Sequence, residues 1–288
     1  MKKVVAKPNI QDYHDYLEFL KDWTTYLKER DRGFSLRKVA KDAGIASGYL
    51  PMCFSRKRKL SNKFYEKVIT LFKLSAKEIR YLDLLKIIAE SEVPNERVQA
   101  LTDLQKLKDY KNNNHSELEA HQYLSRWYYV AIRELVNLQE FKSDPSWIQE
   151  RLRGRVSQKE IAEAIQFLIK FGFILPNTLG GYSVVDKQLR CHEGVYKISL
   201  GEFHRQMLDW AKISIDEIPR EERLMLGHTA ALNKDQYEKI QSILKEAMSN
   251  IENVGVTAAA KTAEVYHIEL VAFPLTKNSS TNGGNVGK

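Results

Sequence analysis

The chain has 288 residues, about twice a common single-domain length, so more than one compact unit is expected. With 43% hydrophobic and 28% charged residues, and only 14 Gly and 7 Pro, the composition excludes disorder throughout and collagen-like or low-complexity character. The net charge of +8 is unevenly held. Residues 33–80 carry 12 Lys and Arg against 3 Asp and Glu, whereas residues 112–288 carry 21 against 22, so one short segment offers a surface to phosphate-rich partners.

The opening run after Pro8 places Tyr13, Tyr16, Leu17, Leu20, Trp23 and Leu27 at helical spacing, which predicts an amphipathic helix ending near Gly33. Its aromatic stripe either covers the core of the next elements or forms an interface. Ser35 then caps a helix through Leu36, Val39 and Ala40, Gly44 makes a turn, and Ser47 caps a second short helix with Leu50, Cys53 and Phe54 inward. Ser61 starts a third helix, and Ser75 with Glu78 forms a capping box for a fourth. Pro94 marks a break, Thr102 and Gln105 are caps for a further helix, and the polar run Lys111–His115 is the expected hinge.

An aromatic helix is expected from Glu117 through Tyr123, Trp127 and Tyr128 to Leu138. Pro145 then opens a short helix, Ser157 with Glu160 caps another, and Phe173–Leu175 and Tyr182–Val185 flank a loop as two strands. Helix, helix, hairpin is the winged-helix order. Beyond it, Phe203–Ile215 reads as a helix, Leu224–Leu232 as a strand region, Asp235–Asn250 as an amphipathic helix, and the alternating Val265–Phe273 as a strand that needs partners.

The strongest single signal is FSLRKVAKDAGIASGYLPMCF, residues 34–54. Small Ala40 lets two helices cross closely, Gly44 turns the chain, and Val39, Ile45, Leu50 and Cys53 hold the angle, the geometry of a helix-turn-helix that enters a DNA major groove. Ordinary helical hairpins share this spacing, but the run Arg56–Lys59 adds four cations at the end of the second helix, suited to phosphates. Ser47, Tyr49, Met52 and Arg56 are the candidates for base contacts, and Lys38, Lys57, Arg58 and Lys59 for backbone contacts. Each is otherwise an ordinary surface residue.

Taken together, DYHDYLEFLKDW, SLRKVAKDAGIASGYL with RKRKLS, VSQKEIAEAIQFLIKFGFILPNTLGGYSV, EFHRQMLDWA, IPREER and VYHIELVAFPLTK, in this order, give the chain a likeness. Over residues 10–277 it resembles the Fibrobacter paralogous family of bacterial transcriptional regulators, with an Xre-like helix-turn-helix followed by an uncharacterised domain. The resemblance implies regulation of transcription through double-stranded DNA. The chain departs from the family pattern at Pro51 and Met52, where a small polar and a basic residue are usual, and at Ser55, where glycine is usual. Pro51 is expected to remove a backbone hydrogen bond and distort the reading helix, which favours phosphate contact over base reading.

The resulting expectation is a mainly α protein with small β elements (α+β). It comprises an N-terminal helix-turn-helix bundle (1–90), a helical linker (91–115), a winged-helix-like domain (116–190), a mixed α/β region (191–274) and a disordered tail (275–288). The second helix of the winged unit opens on Gln158, Lys159 and Glu160 and its wing tip, 177–181, has no cation, so it reads as a packing or dimerisation module. Cys191, His192, Glu193 and His204 lack metal-ligand spacing, no nucleotide or hydrolase motif occurs, and His192, His204, His228 and His267 are at most a sensing set. No enzyme activity, cofactor or metal is expected, and the two cysteines, Cys53 and Cys191, are expected reduced in a soluble cytoplasmic protein that has no membrane partner. A homodimer built by residues 116–274, with or without a small-molecule or peptide effector, would let one short helix read a palindrome. Tyr123, Trp127 and Tyr128, or the N-terminal stripe of Tyr16, Leu20 and Trp23, are its candidate anchors. A scaffold with a degenerate helix-turn-helix is the competing reading.

Overall fold

A computed structural model describes residues 5–178, 181–254 and 264–277. Its elements are α1 (Tyr16–Arg30), α2 (Leu36–Ala43), α3 (Tyr49–Phe54), α4 (Asn62–Leu71), α5 (Ala76–Glu90), α6 (Pro94–Lys106), α7 (Lys108–Asn113), α8 (His115–Leu124), α9 (Trp127–Leu135), α10 (Pro145–Arg151), α11 (Gln158–Lys170), β1 (Ile174–Pro176), β2 (Tyr182–Val184), α12 (Glu193–Glu217) and α13 (Lys234–Asn253). The fold is mostly helical, with one small antiparallel hairpin.

The chain divides into two units. The first comprises Met1–Val130 and Asp186–Gln206. Its core is built on the aromatic stripe of α1: Tyr16, Phe19, Leu20 and Trp23 are buried against Leu50, Cys53, Val68, Phe72, Leu82 and Leu85. Polar ends of these side chains find partners. Trp23 Nε1 donates to the Phe72 carbonyl at 3.1 Å, the Tyr65 hydroxyl donates to Asp83 at 2.6 Å, and the Tyr16 hydroxyl donates to Glu90. Both phenols are held in the neutral form, chiefly by burial and then by these carboxylates. The N-terminal stripe is therefore internal and is withdrawn as a dimer anchor.

Local chemistry explains most boundaries. Ser75 and Glu78 close the expected capping box on α5, and Pro94 occupies the first turn of α6, where its missing N–H costs nothing. Thr102 is not a cap: α6 runs through it, and its hydroxyl bonds back to the Val98 carbonyl at 2.9 Å. The asparagine run expected as a hinge is helical on either side of Asn114, whose buried side chain donates to the Tyr110 carbonyl. The long aromatic helix is broken between α8 and α9. Gln206 satisfies the break, accepting from Trp127 N and donating to the Ser125 carbonyl. Tyr123 and Tyr128 are buried and Trp127 is half-buried, so the second set of expected dimer anchors is largely internal as well.

Two histidines of this unit set an acid limit on its stability. Burial lowers His121 below the ordinary imidazole range, against the opposing charge of Glu202, and its Nδ1 lies 3.0 Å from Ser199 Oγ. Burial likewise lowers His14, against Glu117 and with His192 stacked on its ring. A lowered native pKa means that the unfolded chain binds more protons, so stability is full above about pH 6.5 and falls as pH drops below it. Urea midpoints should decline from pH 7 to pH 5, and less steeply in His121→Gln; a flat profile in the native sequence would contradict the assignment.

The second unit comprises Ala131–Val185 and Met207–Lys288. Ser157 and Glu160 close a capping box on α11, and Ile161, Ala164, Phe167 and Leu168 pack with Ile148, Phe173 and Ile174 in its buried interior. In the hairpin, Ile174 pairs with Val184 and Pro176 with Tyr182. Asn177 closes the turn, exchanging hydrogen bonds with Gly181. The strands expected over 224–232 and 265–273 do not form among the described residues: both segments run straight without a ladder. Of the expected tail, residues 278–288 lie outside the described residues.

Candidate nucleic-acid interface

The basic segment folds around α2 and α3. Ser35 Oγ accepts from Lys38 N at 3.1 Å to start α2, and Gly44 ends it in the left-handed region, φ 68°, passing its own N–H to Lys41 and that of Ile45 to the Ala40 carbonyl. A side chain at 44 would meet little (the nearest atom is Lys67 Nζ at 3.8 Å), so the positive φ is what requires glycine. Lys67 Nζ also donates to the Ala43 carbonyl at 2.9 Å, adding a cation to the C-terminus of α2.

Helix α3 has six residues and no side-chain cap, because its N-cap is Gly48 and not Ser47. Pro51 falls in its first turn, where N–H groups have no intrahelical partner, so the expected distortion is absent. What holds α3 is burial: Tyr49, Leu50 and Cys53 all face the core.

The expected contact residues separate into three groups. Ser47 and Met52 are exposed, as are Lys38 and Lys57. Arg58 and Lys59 are exposed but partnered, Arg58 stacking over the Tyr49 ring at 4.8 Å and Lys59 lying 3.7 Å from Glu92. Tyr49 and Arg56 are differently used. Tyr49 is buried, its hydroxyl donating to the Lys59 carbonyl at 3.0 Å and accepting from Ser61 N at 3.1 Å, so it pins the basic loop and is withdrawn as a base reader. Arg56, itself at φ 59°, reaches Asp15 at 2.8 Å, the carboxylate that also caps α1 by accepting from Leu17 N and Glu18 N. Arg56 remains exposed, but its guanidinium is paired with Asp15.

Asp15 and Lys67 are structural neighbours of the basic segment that sequence reading does not find. Nothing in the sequence marks the contact between Asp15 and Arg56, 41 residues apart. Arg37, Lys41 and Lys63 are also exposed, so the cationic surface extends beyond the Arg56–Lys59 run. Tyr49→Phe would leave Ser61 N–H without its acceptor and free the 56–60 loop; a loss of about 1–3 kcal/mol is expected, measured as a shift in urea midpoint at pH 7.

Elsewhere the chemistry is sparse. Among the described residues no group of three or more His, Cys, Asp and Glu side chains could hold a metal ion, and no helix is long and apolar enough to cross a membrane. Cys53 is buried and Cys191 half-buried; both are free thiols, and burial raises both, Cys191 to about 11 with help from Glu117 and Glu119. His192 and His204 belong to the first unit, His228 and His267 to the second.

These features define a mostly helical chain with a cationic helix pair near its N-terminus. Residues 107–275, more than half of the chain, match the family described as a domain of unknown function, DUF4423, and the chain belongs to that family. The matched span begins C-terminal to the basic segment. No curated protein and no solved structure matches the chain.

Proposed function

We propose that the protein is a DNA-binding transcriptional regulator whose N-terminal helix-turn-helix, α2 and α3, engages double-stranded DNA. The observation that carries this reading is the exposed cationic surface around a short helix set off by a left-handed glycine turn, with Lys38 and Lys57 exposed beside Ser47 and Met52. Such a helix can enter a major groove while the flanking cations lie on phosphates. The order α10, α11, hairpin supports a winged-helix unit in the middle of the chain, used for packing and assembly. No catalytic role is proposed.

A single six-residue helix covers few base pairs, so the regulator acts as a homodimer, with dimer contacts and any effector site within residues 116–274. With Tyr49 buried and Arg56 paired to Asp15, Ser47 and Met52 are the base-facing pair, and most affinity comes from phosphate contacts. Fluorescence anisotropy with a labelled random duplex should show binding that weakens linearly in log salt. No binding at 50 mM salt would sink the DNA reading.

A further inference from the structure

The C-terminal half of the second unit is unfinished as a single chain. Helix α13 has 20 residues and an apolar stripe through Tyr237, Ile240, Leu244 and Ile251 that is only half-buried, with Ile243 61% exposed, and none of its side chains is fully buried. Helices in proteins draw most of their stability from packing such a face. On either side of α13 in sequence run two straight apolar segments, 223–233 and 264–274, without helix, turn or bend. Leu226 is 87% exposed, Tyr266 67% and Phe273 68%.

Much of their main chain has no backbone partner. Among the described residues, no backbone–backbone hydrogen bond engages residues 223–232, nor Ile268, Leu270, Val271 or Phe273. The second segment touches α13 through the Tyr237 hydroxyl, which donates to the Ala272 carbonyl at 3.1 Å. The second segment alternates apolar and polar residues over Tyr266–Leu270, which is strand chemistry, and the first carries the apolar run Leu224–Leu226 on a backbone with no hydrogen-bonded neighbour among the described residues; such an edge is a template for another chain.

We propose that residues 223–254 and 264–275 form the dimerisation element: the two straight segments pair edge to edge with those of a second copy, and α13 covers one face of the intermolecular sheet. This rests on the dimer reading above and gives it a place and a mode. A second copy is the occupant for three reasons. A strand edge is self-complementary about a two-fold axis. Residues 223–277 hold six Lys and Arg against six Asp and Glu, so two copies meet without net repulsion, and nothing there attracts a polyanion. The exposed apolar side chains of this region amount to on the order of 1,000 Å², given 150–250 Å² for a whole aromatic side chain; a standard interface takes about 800 Å² from each partner.

Light scattering on the full chain at tens of micromolar, with hydrogen exchange read peptide by peptide, tests this. A dimer is expected, with amides of 223–233 and 264–274 gaining protection as concentration rises. Leu226→Asp and Ile268→Asp, both at exposed positions, should each weaken self-association on the order of 100-fold by placing a charge in the apolar seam, with the helical circular dichroism unchanged. A monomer at every concentration overturns this proposal and the dimer reading together. A dimer that both aspartate variants leave intact, or whose two segments exchange freely, overturns this proposal alone. Should a variant lose its helical signal, the protection pattern of the native sequence decides. Protection gained only on adding a foreign strand peptide also counts against a second copy.

Discussion

Replacing Lys38, Lys57 and Arg58 together with Ala should lower the salt slope of DNA binding by about 2.7, roughly 0.9 for each phosphate no longer neutralised, and reduce affinity at 0.1 M salt on the order of 100-fold. Lys38 and Lys57 are exposed, and Arg58 spreads over Tyr49 on the same surface, so the change removes charge with little core disturbed. Arg56→Ala makes a contrast. Its guanidinium is held by Asp15, 2.8 Å away, so its removal should alter the salt slope least of the four consecutive cations. Anisotropy titrations at several salt concentrations measure both; an unchanged slope in the triple variant would place the DNA surface elsewhere.

Leu50→Ala should cost about 2–5 kcal/mol, the range for emptying a fully buried leucine site. Leu50 has no exposed surface, and α3 has neither a side-chain cap nor length to sustain it, so its place depends on Leu50, Cys53 and Tyr49 in the core. DNA affinity should fall with stability in this variant, whereas Met52→Ala, at an exposed position on the same helix, should leave the urea midpoint nearly unchanged and alter sequence preference alone. Urea unfolding followed by circular dichroism separates the two; a Leu50→Ala midpoint equal to the native one would show that α3 is not fixed by the core.

Much of the helical framework is legible because its signals are local. The capping boxes at Ser75 and Ser157, the left-handed Gly44 and the prolines at 94 and 145 act within one turn, so residue order reveals them. The break between α8 and α9 is different. It depends on Gln206, distant in sequence, taking up the freed Trp127 N–H and Ser125 carbonyl. Helical periodicity alone therefore runs on through it.

The candidate site divides in the same way. Exposed Lys38 and Met52 follow from helix phase, since Val39, Leu50 and Cys53 fix which side is inward, and exposed Ser47 and Lys57 lie in the turns that flank α3. Tyr49 escapes that phase because it lies beside Leu50 on a helix too short to have a clear stripe; Phe64, with its ring 5.3 Å from Tyr49, is what draws it inward. Arg56 escapes it because its partner, Asp15, comes from α1's cap. The alternation in 265–273 is real as a pattern but has no strand to pair with among the described residues. Period 2 reports a preference for an edge, and the edge itself must come from another segment.

Selection of bound sequences from a random duplex pool at near-physiological salt, using the full chain, tests base reading most directly. A regulator that reads bases through Ser47 and Met52 should enrich a palindrome with half-sites about one helical turn apart. It should hold that sequence about 4–10 kcal/mol more tightly than random duplex. Recovery of the pool without any enriched sequence, while salt-sensitive binding persists, would contradict base reading and leave a phosphate-binding scaffold.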